Sequence, residues 1–309
     1  MSPSTALRPE VPFVEGEDLE AHLAKAGLDA ETEAFCRSLA QNGYALIDLG
    51  DEARALCDLA VADTDRLFAR HPGANRIQDA WLRSKAVRRL AASPKVARML
   101  EAAYGRKAFP FQTLNFLRGS QQGLHPDSIH FHSVPERFMC GVWIALEDVQ
   151  PEAGPLVYLP GSHRLPVMTM RDAGVNDPRP SPEQYASRFV HGFAERLAAA
   201  GLPDERALVK KGWAFVWAAN LAHGGAPVTD PASTRRSLVV HWYFENCLYY
   251  TPMTSDVEGG RLSLRMPANV ATGGWEWPRK AGRAVYPGKT PLLAAILKRV
   301  FKPLHISEG

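Results

Sequence analysis

The sequence predicts a mostly β fold with added α-helices, and three observations lead to this. After Gly105, short runs rich in aromatic and β-branched residues follow one another, separated by turn signals. Most of these runs lie too close together for parallel crossovers, which favours an antiparallel sandwich or barrel. Helical periodicity is concentrated before Gly105 and in one later insert. The β-type runs are 109–117, 138–146, 156–159, 214–218 and 237–244.

The helices have recognisable ends. Asp29 is expected to cap a helix that runs to about Asn42, with Gly43 ending it. Ser93 followed by Pro94 is typical of a helix start, because proline fits the first turn. Helices are therefore predicted at 30–42, about 52–69, about 94–104 and about 181–200, with a strand at 44–49.

The composition excludes several classes of protein. Of 309 residues, 46% are apolar and 22% charged, which argues against disorder. A net charge of +3 gives no support for nucleic-acid binding. The sequence contains no run of about 18 uncharged apolar residues, so no membrane span is expected. The first residues do not read as a signal peptide, and a cytoplasmic location is the expectation.

The four cysteines are widely spaced and form no CxxC pair, so a zinc knuckle or dithiol redox site is not expected. Reduced and mostly buried thiols are predicted instead.

A His-Pro-Asp segment carries the first chemical signal. His125 and Asp127 are two residues apart, which on a strand places both side chains on one face. An imidazole and a carboxylate together suit a divalent metal, although a capping aspartate near a core histidine would give the same pair. His223, 96 residues after Asp127 and beside two glycines, offers a third ligand. Two histidines and one carboxylate form the facial triad of non-heme Fe(II) oxygenases, which leaves coordination positions open.

A second pair suits a carboxylate ligand. Arg235 and Ser237 share a face if the strand 237–244 begins slightly early. A guanidinium and a hydroxyl can bind the distal carboxylate of 2-oxoglutarate, although a solvated strand edge is the alternative.

Other histidines offer rival interpretations. His130 and His132 are also two apart and could form a cupin-like metal pair, or line the pocket, or be structural. His163 lies in a predicted turn and is interpreted as structural. His241 shares the strand face of Arg235 and Ser237, but no role is assigned to it.

Together these motifs resemble the phytanoyl-CoA dioxygenase family of Fe(II)- and 2-oxoglutarate-dependent oxygenases. The resemblance rests on HPD, then GVWIALEDVQPEAGPLVYLPGSH, then the later histidine and TRRS, over roughly residues 109–244. It implies iron ligands His125, Asp127 and His223, and a 2-oxoglutarate site at Arg235 with Ser237 beside it.

The resemblance implies further contacts. Gln112 matches a position that meets the other end of the cosubstrate, and Asn115 is a weaker candidate of the same kind. Trp143 lies on the strand behind the cosubstrate pocket. Buried structural roles are the alternatives for Gln112 and Trp143. Pro126 departs from the family pattern, and because proline removes a backbone donor, the strand is expected to end there.

The fold implied is a double-stranded β-helix (jelly-roll or cupin-like) core flanked by N-terminal helices and a helical insert. The expected organisation is a flexible arm at 1–15 and a single oxygenase domain at 16–309. Within that domain the helical layer covers 16–105, the core 106–250 with the insert at about 171–202, and a C-terminal extension 251–309. A basic amphipathic helix is predicted at 291–302.

The expected activity is hydroxylation of a small organic metabolite that uses Fe(II), 2-oxoglutarate and O2 and releases succinate and CO2. The carboxylate of Asp127 favours hydroxylation over halogenation, since halogenating relatives lack it. Two alternatives stay open: a non-catalytic jelly-roll binding protein, and a cupin-type metalloenzyme that uses no 2-oxoglutarate. The sequence predicts neither the substrate nor the oligomeric state.

Overall fold

A seven-stranded antiparallel sheet is the largest element in this computed structural model, which describes residues 10–177, 179–257, 259–286 and 304–307. The strands are β1 Tyr44–Asp48, β2 Arg76–Gln78, β3 Ala108–Phe116, β4 His132–Val134, β5 Met139–Ala145, β6 Leu156–Tyr158, β7 Glu205–Ala207, β8 Trp213–Ala218, β9 His223–Gly225, β10 Ser237–Phe244, β11 Leu248–Tyr250, β12 Arg279–Lys280, β13 Arg283–Ala284 and β14 His305–Ser307. The order in the large sheet is β1-β8-β5-β10-β3-β2-β14. Smaller sheets are formed by β7-β6-β9, by β11-β4 and by β12-β13.

The helices precede the central strands or form the insert. They are α1 Leu19–Ala26, α2 Ala30–Asn42, α3 Asp51–Ala69, α4 Lys85–Ala91, α5 Pro94–Tyr104, α6 Pro182–Gln184 and α7 His191–Ala200. A π-helical segment, Tyr185–Val190, joins α6 to α7. The predicted mostly β fold with N-terminal helices and a helical insert is confirmed, and the described strands form open sheets rather than a closed barrel.

The predicted helix ends are confirmed. The Asp29 carboxylate accepts a hydrogen bond from the Thr32 backbone N–H, and α2 ends at Gly43 in the left-handed conformation. Ser93 caps α5 in the same way, with Pro94 in the first turn. These side chains satisfy backbone donors that the first turn of a helix leaves without partners.

The two faces of the large sheet have different neighbours because side chains alternate along each strand. On β10, Leu238 and Val240 pack into the main hydrophobic core with residues of α2 to α5. Val239 points the other way and packs with Phe215 and Leu156, on the side of the β7-β6-β9 sheet. The face of the large sheet that carries Val239, called the functional face below, is therefore turned away from the helices.

The insert packs beside the segment that follows the His-Pro-Asp motif. Phe189 and Phe193 share a hydrophobic cluster with Ile129 and Ala222. The four cysteines are buried and free. Among the described residues, no helix combines the length and apolar character that crossing a bilayer requires. The predicted helix at 291–302 and the first nine residues of the predicted arm lie outside the described residues.

The end of α2 depends on a glycine that allows two elements to approach closely. Gly43 has a φ of 79°, and a Cβ there would overlap the His163 ring. His163, interpreted as structural from the sequence, places Nε2 3.2 Å from the Ala40 carbonyl oxygen. It therefore secures the last turn of α2.

We expect Gly43→Ala to lower the free energy of unfolding more than Gly27→Ala. Gly27 also has a positive φ, 60°, but a Cβ there meets nothing within 4 Å. The left-handed conformation alone costs about 1 kcal/mol, and overpacking against His163 adds about 1–3 kcal/mol at position 43. Urea unfolding of both variants measures the difference, and equal losses would contradict the close contact.

Candidate metal centre and its cavity

A cavity of about 240 Å³ opens between the functional face of the large sheet and strands β6 and β9. His125, Asp127 and His223 all line it. One ligand atom from each lies within 4.8 Å of the other two, which is close enough for a single metal ion to bind all three. The structure thus brings together the three residues that the sequence singled out.

The two histidines are held side by side by their own backbones. The His125 N–H donates to the His223 carbonyl at 2.9 Å, and the His223 N–H donates to the His125 carbonyl at 3.1 Å. Their ring centroids are 4.7 Å apart. Gly224 permits this approach, because a Cβ there would lie 2.6 Å from the Gln122 carbonyl oxygen.

Both imidazoles present the same nitrogen to the site. Nδ1 of His125 lies 2.8 Å from the Gly123 carbonyl oxygen, and Nδ1 of His223 lies 3.0 Å from that of Leu221. A carbonyl oxygen only accepts, so Nδ1 carries the proton in each ring. The Nε2 lone pair of each histidine is then available to a metal.

Asp127 is fixed by an indole donor. Trp217 Nε1 donates to Asp127 Oδ2 at 2.8 Å, while Oδ1 lies 3.9 Å from His223 Nε2. Gly141, the residue opposite Trp217 on β5, leaves room for the indole, since a Cβ there would overlap the ring. One carboxylate oxygen is therefore engaged and the other faces the histidines.

The protonation states favour metal binding. Burial lowers the pKa of His223 to about 4, so this imidazole is neutral at pH 7. Burial acts to raise the pKa of Asp127, but the neighbouring imidazoles of His241, His223 and His125 and the Trp217 hydrogen bond outweigh it and leave that pKa below its ordinary value. A neutral imidazole and an ionised carboxylate are the forms that ligate a metal, so the donor set fits a divalent cation.

The His-Pro-Asp segment is not one continuous strand. His125 forms an isolated β-bridge with His223, whereas Asp127 begins a 3₁₀ turn, Asp127–Ile129. The predicted strand end at Pro126 is confirmed, but the expectation that a strand places His125 and Asp127 on one face is wrong. The turn brings the two side chains together instead.

Arg235 is buried in the cavity wall, with 2% of its surface exposed. Nη1 donates to the Gly154 carbonyl at 2.8 Å, and the guanidinium lies 5.6 Å from the Trp143 ring centroid. Burial lowers the pKa of Arg235 to about 10, so the side chain is charged at neutral pH. Its Nε and the buried Ser237 hydroxyl have no hydrogen-bond partner among the described residues.

Gln112 and Asn115 lie on opposite faces of β3. Gln112 lines the cavity, with Oε1 3.0 Å from Nδ1 of His241. Asn115 is an odd number of residues away and pairs with Leu238, which packs toward the helices. The sequence-based suggestion that Asn115 resembles Gln112 in role is therefore wrong, because alternation along the strand turns Asn115 away from the cavity.

The rival pair of histidines is separated by the fold. His130 lines the cavity, with Nε2 3.2 Å from the Tyr185 hydroxyl on the π-helical segment. His132 lies on β4, with Nδ1 3.3 Å from the Tyr250 hydroxyl, and does not line the cavity. The two do not share a ligand site.

Sequence reasoning missed three side chains that line the cavity. His241 places Nε2 3.6 Å from Asp127 Oδ2, and its shared face with Ser237 could have indicated this. Trp217 contacts Asp127 through a pairing that has no local sequence signal. Arg76, from β2, also lines the cavity.

The family model described as phytanoyl-CoA dioxygenase (PhyH) matches residues 32–237. A comparison with curated proteins found no match.

Three solved structures show the similarity of fold. The non-heme alpha ketoglutarate dependent carbocyclase SnoK from nogalamycin biosynthesis has a TM-score of 0.57 at 18% identity, covering 79% of this chain and 94% of that one. The epimerase SnoN with Fe3+, alpha ketoglutarate and nogalamycin RO has a TM-score of 0.55 at 20% identity, covering 71% and 86%. EctD from S. alaskensis with 2-oxoglutarate and 5-hydroxyectoine has a TM-score of 0.55 at 16% identity, covering 94% and 96%. The likeness supports the predicted jelly-roll core.

We expect Trp217→Phe to weaken metal binding by about tenfold or more, because loss of the indole donor frees Asp127 to rotate. Titration calorimetry with Mn(II) or anaerobic Fe(II) measures the affinity. Trp213→Phe is the matched control, since Trp213 lies on the same strand but does not line the cavity. Unchanged affinity in Trp217→Phe would show that the indole does not position the carboxylate.

Proposed function

The chain belongs to the phytanoyl-CoA dioxygenase family, and from this premise we propose that it is an Fe(II)- and 2-oxoglutarate-dependent dioxygenase that hydroxylates a small organic metabolite. His125, Asp127 and His223 are the proposed iron ligands. Arg235, with Ser237, is the proposed partner of the distal carboxylate of 2-oxoglutarate.

One observation carries this proposal. A two-histidine, one-carboxylate donor set shares a single cavity with a buried arginine that has no carboxylate partner among the described residues. Three protein ligands leave about half of an octahedral coordination sphere open. A buried guanidinium without a counter-charge is costly unless an anion binds it. A chelating dicarboxylate satisfies both requirements.

The bound iron would supply the oxidation, coupling dioxygen and 2-oxoglutarate to attack on the substrate with release of succinate and CO2. The chain's own residues hold and orient the reactants. The Arg235 guanidinium offers a planar pair of donors to a carboxylate. The free Ser237 hydroxyl lies on the same strand face and is a further donor.

The cavity wall sets the environment of the cosubstrate. The Trp143 ring lies against the Arg235 guanidinium and shields it from water, which strengthens its attraction for a carboxylate. Gln112 is proposed to contact the other end of the cosubstrate from the edge near His241. Burial of Asp127 and His223 keeps water away from the proposed ligands.

The alternatives differ in what they leave unexplained. A non-catalytic binding protein has no need of three convergent metal donors. A cupin-type metalloenzyme without 2-oxoglutarate has no need of Arg235. Similar structures named as an epimerase and a carbocyclase show that the fold alone does not select hydroxylation, and the carboxylate of Asp127 is the feature that favours it over halogenation.

We expect His125→Ala and Asp127→Ala to reduce succinate formation from 2-oxoglutarate to background, because each removes one metal ligand. The assay follows succinate with Fe(II) and O2 present, and anaerobic absorption follows the metal-to-ligand charge-transfer band. His130→Ala is the control, since His130 lines the cavity without joining the donor set. If His130→Ala alone abolished the band, the rival histidine pair would be favoured.

We expect Arg235→Gln to weaken 2-oxoglutarate binding by about tenfold or more, as loss of a charge-assisted hydrogen bond removes about 1.5–3 kcal/mol. Arg236→Gln is a closely matched control, because the adjacent guanidinium pairs with Asp65 and Glu147 instead. The charge-transfer titration gives both affinities. Equal affinities in the two variants would favour the cupin-type alternative.

A further inference from the structure

We propose that Arg76 binds a carboxylate of the substrate, so that the enzyme acts on a small monocarboxylic acid with an apolar portion. This inference rests on the function proposed above and specifies the class of substrate. It is carried by the position of Arg76, the count of charges in the cavity and the character of the adjoining wall.

Arg76 is a cavity-lining arginine that has no acidic partner among the described residues. It lies on β2, and its Nε donates to the Ser307 hydroxyl on β14 at 3.2 Å. Within the described part of the chain, no carboxylate lies within 4.0 Å of its guanidinium. The side chain is half-buried, so its charge faces the cavity with incomplete hydration.

The two cavity arginines come from different strands of the large sheet. Arg76 pairs with Phe116 on β3, and Phe116 pairs with Ser237 on β10. The Arg235 guanidinium leans over Trp143 on β5, the strand on the far side of β10. The backbone of Arg235 stands just before β10, two strand spacings or about 10 Å from β2. Arg76 leans the other way, toward β14. The two guanidinium groups therefore lean in opposite directions, which favours a separate anion for each.

The charges identify the second ligand as a monoanion. Among the described residues that line the cavity, Asp127 is the only acidic one, and Arg76 and Arg235 are the only arginines or lysines. Fe(II) and Arg235 together carry three positive charges, which Asp127 and the 2-oxoglutarate dianion cancel. Arg76 then remains as one uncompensated positive charge. A single carboxylate neutralises it and matches the planar guanidinium with two parallel hydrogen bonds.

The cavity lining between Arg76 and the metal donors is mixed: an apolar strip runs along β3 and β10, and Gln78, Ser120 and Gln122 also line the cavity. Across β3 and β10 the same face carries Leu114, Phe116 and Val239, and Leu156 of β6 also lines the cavity. These side chains can pack against a hydrocarbon or aromatic part of the ligand, while the polar lining residues can accept or donate hydrogen bonds. A ligand of this kind would hold its carboxylate at Arg76 and extend its apolar part along the wall.

The strand register also indicates how far the reacting carbon of the substrate would lie from its carboxylate. Gln112 pairs with His241, whose Nε2 lies 3.6 Å from Asp127, and Gln112 is four residues from Phe116, the partner of Arg76. Four residues of strand span about 14 Å. The arginine side chain reaches over part of this distance. The oxidised carbon is therefore expected several bonds from the carboxylate, and not next to it.

The test compares acids with their neutral amides on the intact protein loaded with Fe(II) and 2-oxoglutarate without oxygen. The probes are phenylacetate and hexanoate against phenylacetamide and hexanamide, with phenyl phosphate as a dianionic arm. Calorimetry, together with perturbation of the charge-transfer band, reports binding. We expect at least one acid to bind about tenfold more tightly than its amide. Arg76→Gln should abolish that preference and leave 2-oxoglutarate affinity within about twofold.

Arg206→Gln is the matched control, because Arg206 lies on β7, is exposed and does not line the cavity. It should retain the preference. The inference is overturned if no acid is preferred, if Arg76→Gln retains the preference, or if phenyl phosphate binds more tightly than either acid. Weakened 2-oxoglutarate binding in Arg76→Gln would also overturn it, because Arg76 would then serve the cosubstrate. Absence of a charge-transfer band in the unmodified protein would instead overturn the proposed function, and the inference with it.

Discussion

The reciprocal backbone pair between His125 and His223 is the constraint on which the site depends. These residues are 98 positions apart in the chain, and two main-chain hydrogen bonds hold their rings 4.7 Å apart. Each Nδ1 is bound to a carbonyl of its own segment, so the orientation of each ring is set locally. The main chain, rather than any contact between the imidazoles, therefore fixes the spacing of the donor atoms. Asp127 needs a separate support because it stands in a turn, and the Trp217 indole provides it.

The buried polar groups around this pair explain why the cavity favours ligands. A buried donor that lacks a partner costs about 1–3 kcal/mol. Among the described residues, the Arg235 Nε and the Ser237 hydroxyl are two such donors; Arg235 lines the cavity just before β10, and Ser237 is the first residue of that strand. An acceptor that binds these donors removes this free-energy cost. The folded chain therefore favours binding of an anion at this position. The Gly154 carbonyl holds Arg235 in place but carries no full charge with which to neutralise it.

Much of this arrangement could be predicted from the sequence, and the exceptions have physical reasons. The strands, the helix caps and the convergence of His125, Asp127 and His223 follow from residue type, spacing and resemblance. Asn115 could have been separated from Gln112 by the alternation of a strand alone. The sequence placed His241 on the same strand face as Arg235 and Ser237, but no motif indicated a role for it. Trp217 could not be predicted, because its contact with Asp127 needs the register that sets Gly141 opposite it. Such a pairing between distant strands leaves no trace in local spacing.

The sheet order places Arg76 on a different strand from the side chains proposed to hold the cosubstrate. The side chains proposed to hold the cosubstrate come from β3, from β5, from the start of β10 and from the residues just before it, and β8 carries the tryptophan that supports Asp127; all four strands have neighbours on both sides. A change in any of them disturbs two ladders of hydrogen bonds and the helical core behind. Arg76 lies on β2, a three-residue strand joined to the short edge strand β14. Of the described residues of β2 and β14, only Ile77 is buried in the main core, so the other positions can change with little effect on the proposed iron ligands. A fold organised in this way can keep one oxidising centre while the anchoring group at its edge determines which molecules reach it.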